Sequence, residues 1–215
     1  MVNAWLDNNY RGIFTIATSG GKTLAAIVSA NLSPKNMLIV VVVPGTDLAE
    51  QWKEEIRDYD PKADITICDH DYDWKNDTTI KLNKFLIGND SSNLAARNYL
   101  IVTNDTASGD VFQENFRYVN PDNVIIIADE VHHVGAPTYR KVLDLDSTRR
   151  IGLSATYSRQ WDEVGTDSIV NYFGKGLDIA GYTISEGIKD GRLCKYSYHP
   201  FFSKLFLSFH KNIPS

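Results

Sequence analysis

The chain has 215 residues, 43% hydrophobic and 23% charged, with 14 glycines and 7 prolines. That composition excludes disordered, collagen-like and low-complexity classes, and a chain this long buries roughly 70% of its unfolded surface without metal or disulfide staples. The net charge of −5 argues against a protein that coats nucleic acid with a basic surface, while leaving room for a local groove.

In chain order, short β-branched runs bounded by turn residues predict strands over residues 13–17, 38–43, 65–68, 100–103, 124–128 and 151–153. Most are continuously apolar, the mark of strands covered on both faces. Helices are predicted between them. One covers residues 22–30. A second covers 47–59, with Leu48, Trp52, Ile56 and Tyr59 on one stripe and Asp47 with Glu50 as a capping box. A third lies within 107–118, with Val111, Phe112 and Phe116 as its apolar positions. Residues 69–93 are polar and acidic and read as an exposed insertion. Strand–helix alternation implies an α/β fold with a mostly parallel, doubly wound sheet, which binds ligands at the carboxyl ends of its strands.

Residues 1–200 read as one domain and 201–215 as a divergent or truncated tail. Cys68 and Cys194 have no CxxC or histidine partner spacing and read as free thiols. The longest apolar run, residues 37–43, stops at Pro44, far short of the ~20 residues of a membrane span. The first residues lack the basic start and cleavage site of a signal peptide. A soluble cytoplasmic protein is the expectation, with no membrane partner.

Three segments after predicted strands carry chemistry. The first is Ile16-Ala17-Thr18-Ser19-Gly20-Gly21-Lys22-Thr23. Small residues there let backbone N–H groups turn onto phosphate oxygens. The lysine meets the β/γ charge, and a hydroxyl can reach magnesium at a helix N-terminus. The strict pattern GxxxxGK[ST] places glycine where Ile16 stands. The second is Asp129-Glu130-Val131-His132-His133, after an apolar strand. A carboxylate buried at a strand end needs a cation, and the neighbouring glutamate can deprotonate an attacking water. The third is Ser154-Ala155-Thr156, whose hydroxyls can couple the acidic strand to another site.

Together these residues resemble the first RecA-like domain of a superfamily 2 helicase or nucleic-acid translocase, in the broad DEAD/DEAH-box sense. Thr18–Thr23 match motif I, with Ser19 where glycine is usual. Residues 41–52 are similar to motif Ia, and Ile101-Val102-Thr103-Asn104 to the next backbone-contacting strand. Asp129-Glu130-Val131-His132 is a DEVH form of motif II, and Ser154-Ala155-Thr156 is motif III. Flanking residues 129–140, 151–156, 162–174 and 184–191 resemble the branch of restriction-enzyme motor subunits and excision-repair DNA helicases.

That resemblance implies ATP and Mg2+ as ligands, with Ser19, Gly20, Gly21, Lys22 and Thr23 binding the nucleotide. It implies Thr23 and Asp129 on the metal, Lys22 and Glu130 in catalysis, and His132, Ser154 and Thr156 in coupling. Gly45, Thr46 and Thr103 would touch the backbone of a nucleic acid, DNA in the first instance. The family also uses a second RecA-like domain with motifs IV to VI, which residues after 194 are too few to supply, and an upstream glutamine-bearing helix. The alternative is a non-motor nucleotide-binding interaction module; a P-loop kinase would need an arginine-rich lid that the sequence lacks. His133, Asp69-His70-Asp71, the Arg149-Arg150 pair and Trp52 read as structural or solvated residues.

Overall fold

The apolar runs become the strands of one parallel sheet, because residues with side chains buried on both faces can be covered only from both sides. The computed structural model describes residues 2–15, 21–69, 74–87 and 96–177. Its strands are β1 (Arg11–Phe14), β2 (Leu38–Val43), β3 (Asp64–Cys68), β4 (Asn98–Thr103), β5 (Val124–Ala128), β6 (Arg149–Leu153) and β7 (Gly176–Leu177). They pair in the order β3-β4-β2-β5-β6-β1-β7, parallel throughout. The expected doubly wound α/β architecture is the one observed.

The helices are α1 (Val2–Asp7), α2 (Lys22–Asn31), α3 (Thr46–Tyr59), α4 (Trp74–Asn83), α5 (Asn104–Ser108), α6 (Asp110–Phe116) and α7 (Glu163–Phe173). Strand residues alternate between two cores. On one face Ile39, Val41, Ile101, Ile125, Ile127 and Ile151 meet Trp5 of α1, Ala26 and Ile27 of α2, and Trp52 and Ile56 of α3. On the other, Val40, Val42, Leu100, Val102 and Ile126 meet Leu82 of α4, Phe112 and Phe116 of α6, and Ile169 and Phe173 of α7. No helix among the described residues is long and apolar enough to cross a membrane.

Several expectations are corrected. The helix expected within 107–118 is α6, and the short α5 before it was not expected; Gly109, in an extended conformation (φ −72°, ψ 143°), ends α5 and opens α6. Within α6, Val111 is exposed and only Phe112 and Phe116 are buried. The capping box at Asp47 and Glu50 does not form. Helix α3 starts a residue earlier, Gly45 occupies its N-cap, and no side chain caps it. Its buried stripe is Ala49, Trp52 and Ile56, with Tyr59 exposed.

Residues 69–93 are not simply an exposed insertion. Asp69 is buried, and α4 packs Leu82 against the core, with Phe85 buried just beyond it. The polar character that suggested a loop runs around both sides of this helix: Lys75 and Asp77 are exposed, while Thr78 and Lys81 are buried. The buried Lys81 donates to Asp64 Oδ1 (2.9 Å), the Asp64 carbonyl (2.9 Å) and the Tyr99 carbonyl (3.1 Å).

The Arg149-Arg150 pair is also not solvated. Arg149 donates to Ser33 Oγ (2.9 Å) and lies over the Tyr10 ring, and Arg150 donates to the Ser147 and Tyr172 carbonyls and covers the Tyr172 ring. Both are cation–π clamps at the amino-terminal edge of the sheet. The first strand ends at Phe14, and the expected residues 16–17, like the loop to Gly20, residues 70–73, 184–191 and the tail 201–215, lie outside the described residues.

Candidate nucleotide-binding site

The carboxyl ends of β2, β5 and β6 and the start of α2 bring the chemistry-bearing motifs together. Helix α2 opens at Gly21, whose φ of +78° is left-handed. A Cβ there would meet nothing within 4 Å, so glycine is required by backbone conformation and not by space. The next residue, Lys22, is only 9% exposed, and its Nζ lies 3.5 Å from Glu130 Oε1. Thr23 is half-buried one position on. Ser19 and Gly20 lie outside the described residues.

Strand β5 delivers Asp129, whose amide continues the sheet by donating to the Val42 carbonyl (2.8 Å). Its carboxylate, on a residue 7% exposed, receives one donor per oxygen: the Glu130 amide on Oδ1 and the Trp52 indole on Oδ2, each at 2.8 Å. Burial pushes the carboxyl above its usual range, against the pull of these two donors and of Lys22. Among the described residues no basic side chain forms an ion pair with it. A buried, hydrogen-bonded carboxylate with lone pairs to spare and no ion-pair partner among the described residues is a donor set that fits a hard divalent ion.

Glu130 then turns the chain. It sits at φ 44°, ψ 54°, a left-handed conformation uncommon for a residue with a side chain. The short 3-10 turn Val131–His133 follows, closed by the His133 amide on the Glu130 carbonyl (2.9 Å). The reversal sets His132 Nδ1 3.4 Å from Glu130 Oε2 and 3.3 Å from Ser154 Oγ.

The serine's single proton goes to the Thr156 carbonyl (2.8 Å), and its oxygen also accepts the Thr156 amide (3.2 Å). Both neighbours of Nδ1 therefore act as acceptors, which places the imidazole proton on Nδ1. Burial, followed by the neighbouring His133, holds the His132 pKa below its usual value, so the ring is neutral at pH 7. Thr156 itself is exposed. No metal-ligating group of three or more His, Cys, Asp or Glu exists among the described residues, and the two histidines sit ring to ring at 4.3 Å.

The residues expected on nucleic acid have mixed surroundings. Gly45 is extended and open, and a Cβ there would touch nothing within 4 Å. Thr46 donates its hydroxyl to the buried Asp69. Thr103 is buried and caps α5 by accepting the Thr106 amide (3.4 Å).

Two participants were not expected from the sequence. Trp52 packs as its helical position suggests, but its indole also reaches Asp129, a contact across 77 residues that no local pattern encodes. Arg159 donates to the His132 carbonyl and to Asp162 Oδ2 (2.7 Å), tying the segment after β6 to the turn after β5. Gly135 makes this closure possible, since a Cβ there would lie 2.7 Å from Arg159 Cδ and 2.8 Å from the Gly165 carbonyl.

A family model described as "Type III restriction enzyme, res subunit" matches residues 1–159. The chain belongs to this family. It is a first RecA-like domain of the superfamily 2 helicase and translocase type, as the motifs implied. It is 29% identical over 152 residues to "Putative DNA 3'-5' helicase Rad25" of Haloarcula marismortui, covering 71% of this chain and 21% of that protein. It is 28% identical to "DNA 3'-5' translocase XPB2" of Sulfurisphaera tokodaii over 74% of this chain and 29% of that one. The chain thus spans about a fifth to three tenths of the length of these relatives. Among solved structures it resembles the Type ISP restriction-modification enzyme LlaGI in complex with a DNA substrate mimic, with a TM-score of 0.61. That likeness, at 16% identity, covers 88% of this chain and 19% of LlaGI and speaks to the fold.

Proposed function

We propose that this chain is the ATP-binding N-terminal motor domain of a superfamily 2 DNA helicase or translocase, working with a second RecA-like domain in cis or in trans. We assign residues 1–200 to the domain and 201–215 to a tail. The observation that carries the reading is the convergence of Lys22, Asp129, Glu130, His132 and Ser154 at one edge of the sheet.

In this reading the amides of Ser19, Gly20 and Gly21 cradle the phosphates, and Lys22 exchanges Glu130 for the β- and γ-phosphate oxygens. Thr23 and Asp129 hold magnesium, which when bound neutralises charge on the β- and γ-phosphates. Glu130 accepts a proton from the water whose oxygen attacks the γ-phosphorus as the bond to the β-phosphate oxygen breaks. His132, neutral and donating from Nδ1, links Glu130 to Ser154 and Thr156, so a change at the phosphate is felt in the segment after β6. Gly45, Thr46 and Thr103 contact the sugar–phosphate backbone of the nucleic acid through neutral donors, which an acidic domain can use. An arginine from the second domain supplies the remaining stabilisation, worth about 10³–10⁵ in rate in related phosphoryl transfers.

The test is titration of this chain with a fluorescent ATP analogue and magnesium, with hydrolysis followed with and without DNA. Nucleotide binding with negligible DNA-stimulated hydrolysis supports the reading. Robust unwinding by this chain alone, or no nucleotide binding, overturns it.

A further inference from the structure

We infer that Trp52 is a positioning residue for the metal-binding carboxylate: its indole N–H fixes Asp129 so that the carboxylate is oriented for magnesium before nucleotide arrives. The inference rests on the assignment of Asp129 as a magnesium ligand.

Three observations carry it. Trp52 is 0% exposed and its Nε1 lies 2.8 Å from Asp129 Oδ2, with the contact wholly buried. The second oxygen is fixed by the Glu130 amide. Two donors from different directions remove the rotation a lone carboxylate would have, and each oxygen keeps lone-pair capacity for a cation. Lastly, Trp52 belongs to α3, which begins at Thr46 beside Gly45. Six residues of helix rise roughly 9 Å, so about one and two-thirds rigid turns join the expected nucleic-acid contact to the proposed metal carboxylate.

Packing alone does not account for the residue. A phenylalanine fills most of the same slot between α3 and the sheet, whereas the N–H is what a buried indole must satisfy and what Asp129 receives. Partners of metal-binding groups set ligand orientation, and losing one typically weakens metal binding about 10–100-fold.

The experiment compares the 215-residue chain with Trp52→Phe, using a fluorescent ATP analogue in EDTA and then across a magnesium titration. In parallel, the indole N–H resonances of the 15N-labelled wild type are followed, with manganese identifying the one nearest the metal. The expected result is metal-free affinity within about twofold of wild type, with the magnesium concentration for half-maximal gain raised roughly tenfold. The resonance lost in Trp52→Phe should be broadened by manganese and displaced by Asp129→Asn.

Equal loss of metal-free and metal-dependent binding, or an unchanged magnesium requirement, overturns the inference and leaves the nucleotide-site reading standing. Absence of any magnesium gain in the wild type overturns the assignment of Asp129 itself, and this inference with it. Should Trp52→Phe fail to fold, the wild-type spectrum decides: if no indole resonance responds to both manganese and Asp129→Asn, the inference falls.

Discussion

Lys22 and Glu130 face each other across the site at 3.5 Å, the lysine almost wholly buried and the glutamate about one third exposed. The pair holds the ammonium in place, and in the proposed reading a phosphate takes the place of the glutamate on it. Lys22→Ala should therefore weaken nucleotide binding roughly ten- to a hundredfold, the scale of a lost charge-assisted hydrogen bond. Glu130→Gln should retain binding or tighten it by about two- to fivefold, since a partly exposed ion pair is worth ~1 kcal/mol or less. Calorimetric titration with a nucleotide decides this; a Glu130→Gln variant that binds tenfold more weakly contradicts the exchange.

Arg97, 6% exposed, forks onto four carbonyls of Ala30, Asn31, Ser33 and Pro34. It thereby satisfies the carboxyl end of α2, the helix that begins at Lys22. Arg97→Ala should cost about 2–4 kcal/mol, because the carbonyls lose a charged donor where water reaches them poorly. Arg97→Lys should recover less than half, since an ammonium cannot span four acceptors in a planar fork. Urea unfolding at neutral pH measures both, and a loss under ~1 kcal/mol for Arg97→Ala would falsify this account.

The His132 environment fixes the sign of a pH effect. Its folded pKa lies below the unfolded one, so the unfolded chain binds more protons in the window between them. Stability contributed by the neutral ring is complete above about pH 6.5 and is lost as pH falls through the folded pKa. Unfolding measured from pH 8 to pH 5 should show a smaller acid-side loss for His132→Gln than for wild type. NMR titration should find the wild-type ring still neutral at pH 7; a ring already charged there refutes the tautomer assigned to Nδ1.

Cys68 reports on α4. Burial pushes its thiol up to about 12, opposed by its contact with Thr78 Oγ1 at 2.8 Å. The thiolate fraction at pH 8 then falls roughly a thousandfold relative to an ordinary cysteine. Alkylation of the native chain, read peptide by peptide in a mass spectrometer, should leave Cys68 unmodified until denaturant is added. Rapid labelling of Cys68 would mean that α4 does not cover β3.

The strands and their burial on both faces were legible because continuous β-branched runs have few other physical outcomes. The motif residues were legible because each follows a strand, and a parallel sheet gathers its carboxyl ends. What stayed hidden were contacts between distant segments: Trp52 with Asp129, Arg159 with the His132 carbonyl, and the two aromatic rings under Arg149 and Arg150. The α4 segment misled because its buried polar groups, Thr78 and Lys81, look hydrophilic in sequence, although both find partners inside. Helix α5 stayed hidden because its five residues, Asn104–Ser108, hold a single apolar position, Ala107, and so show no helical stripe.

The clamps made by Arg97, Arg149, Arg150 and the Lys81–Asp64 pair all lie where strands begin, whereas Asp129, Glu130, Thr46 and Ser154 lie where they end. These clamps and the candidate chemistry thus occupy opposite rims of the same sheet. A substitution among the polar groups at the carboxyl rim therefore leaves the clamps at the other rim in place, so the two ends of the sheet can be perturbed separately.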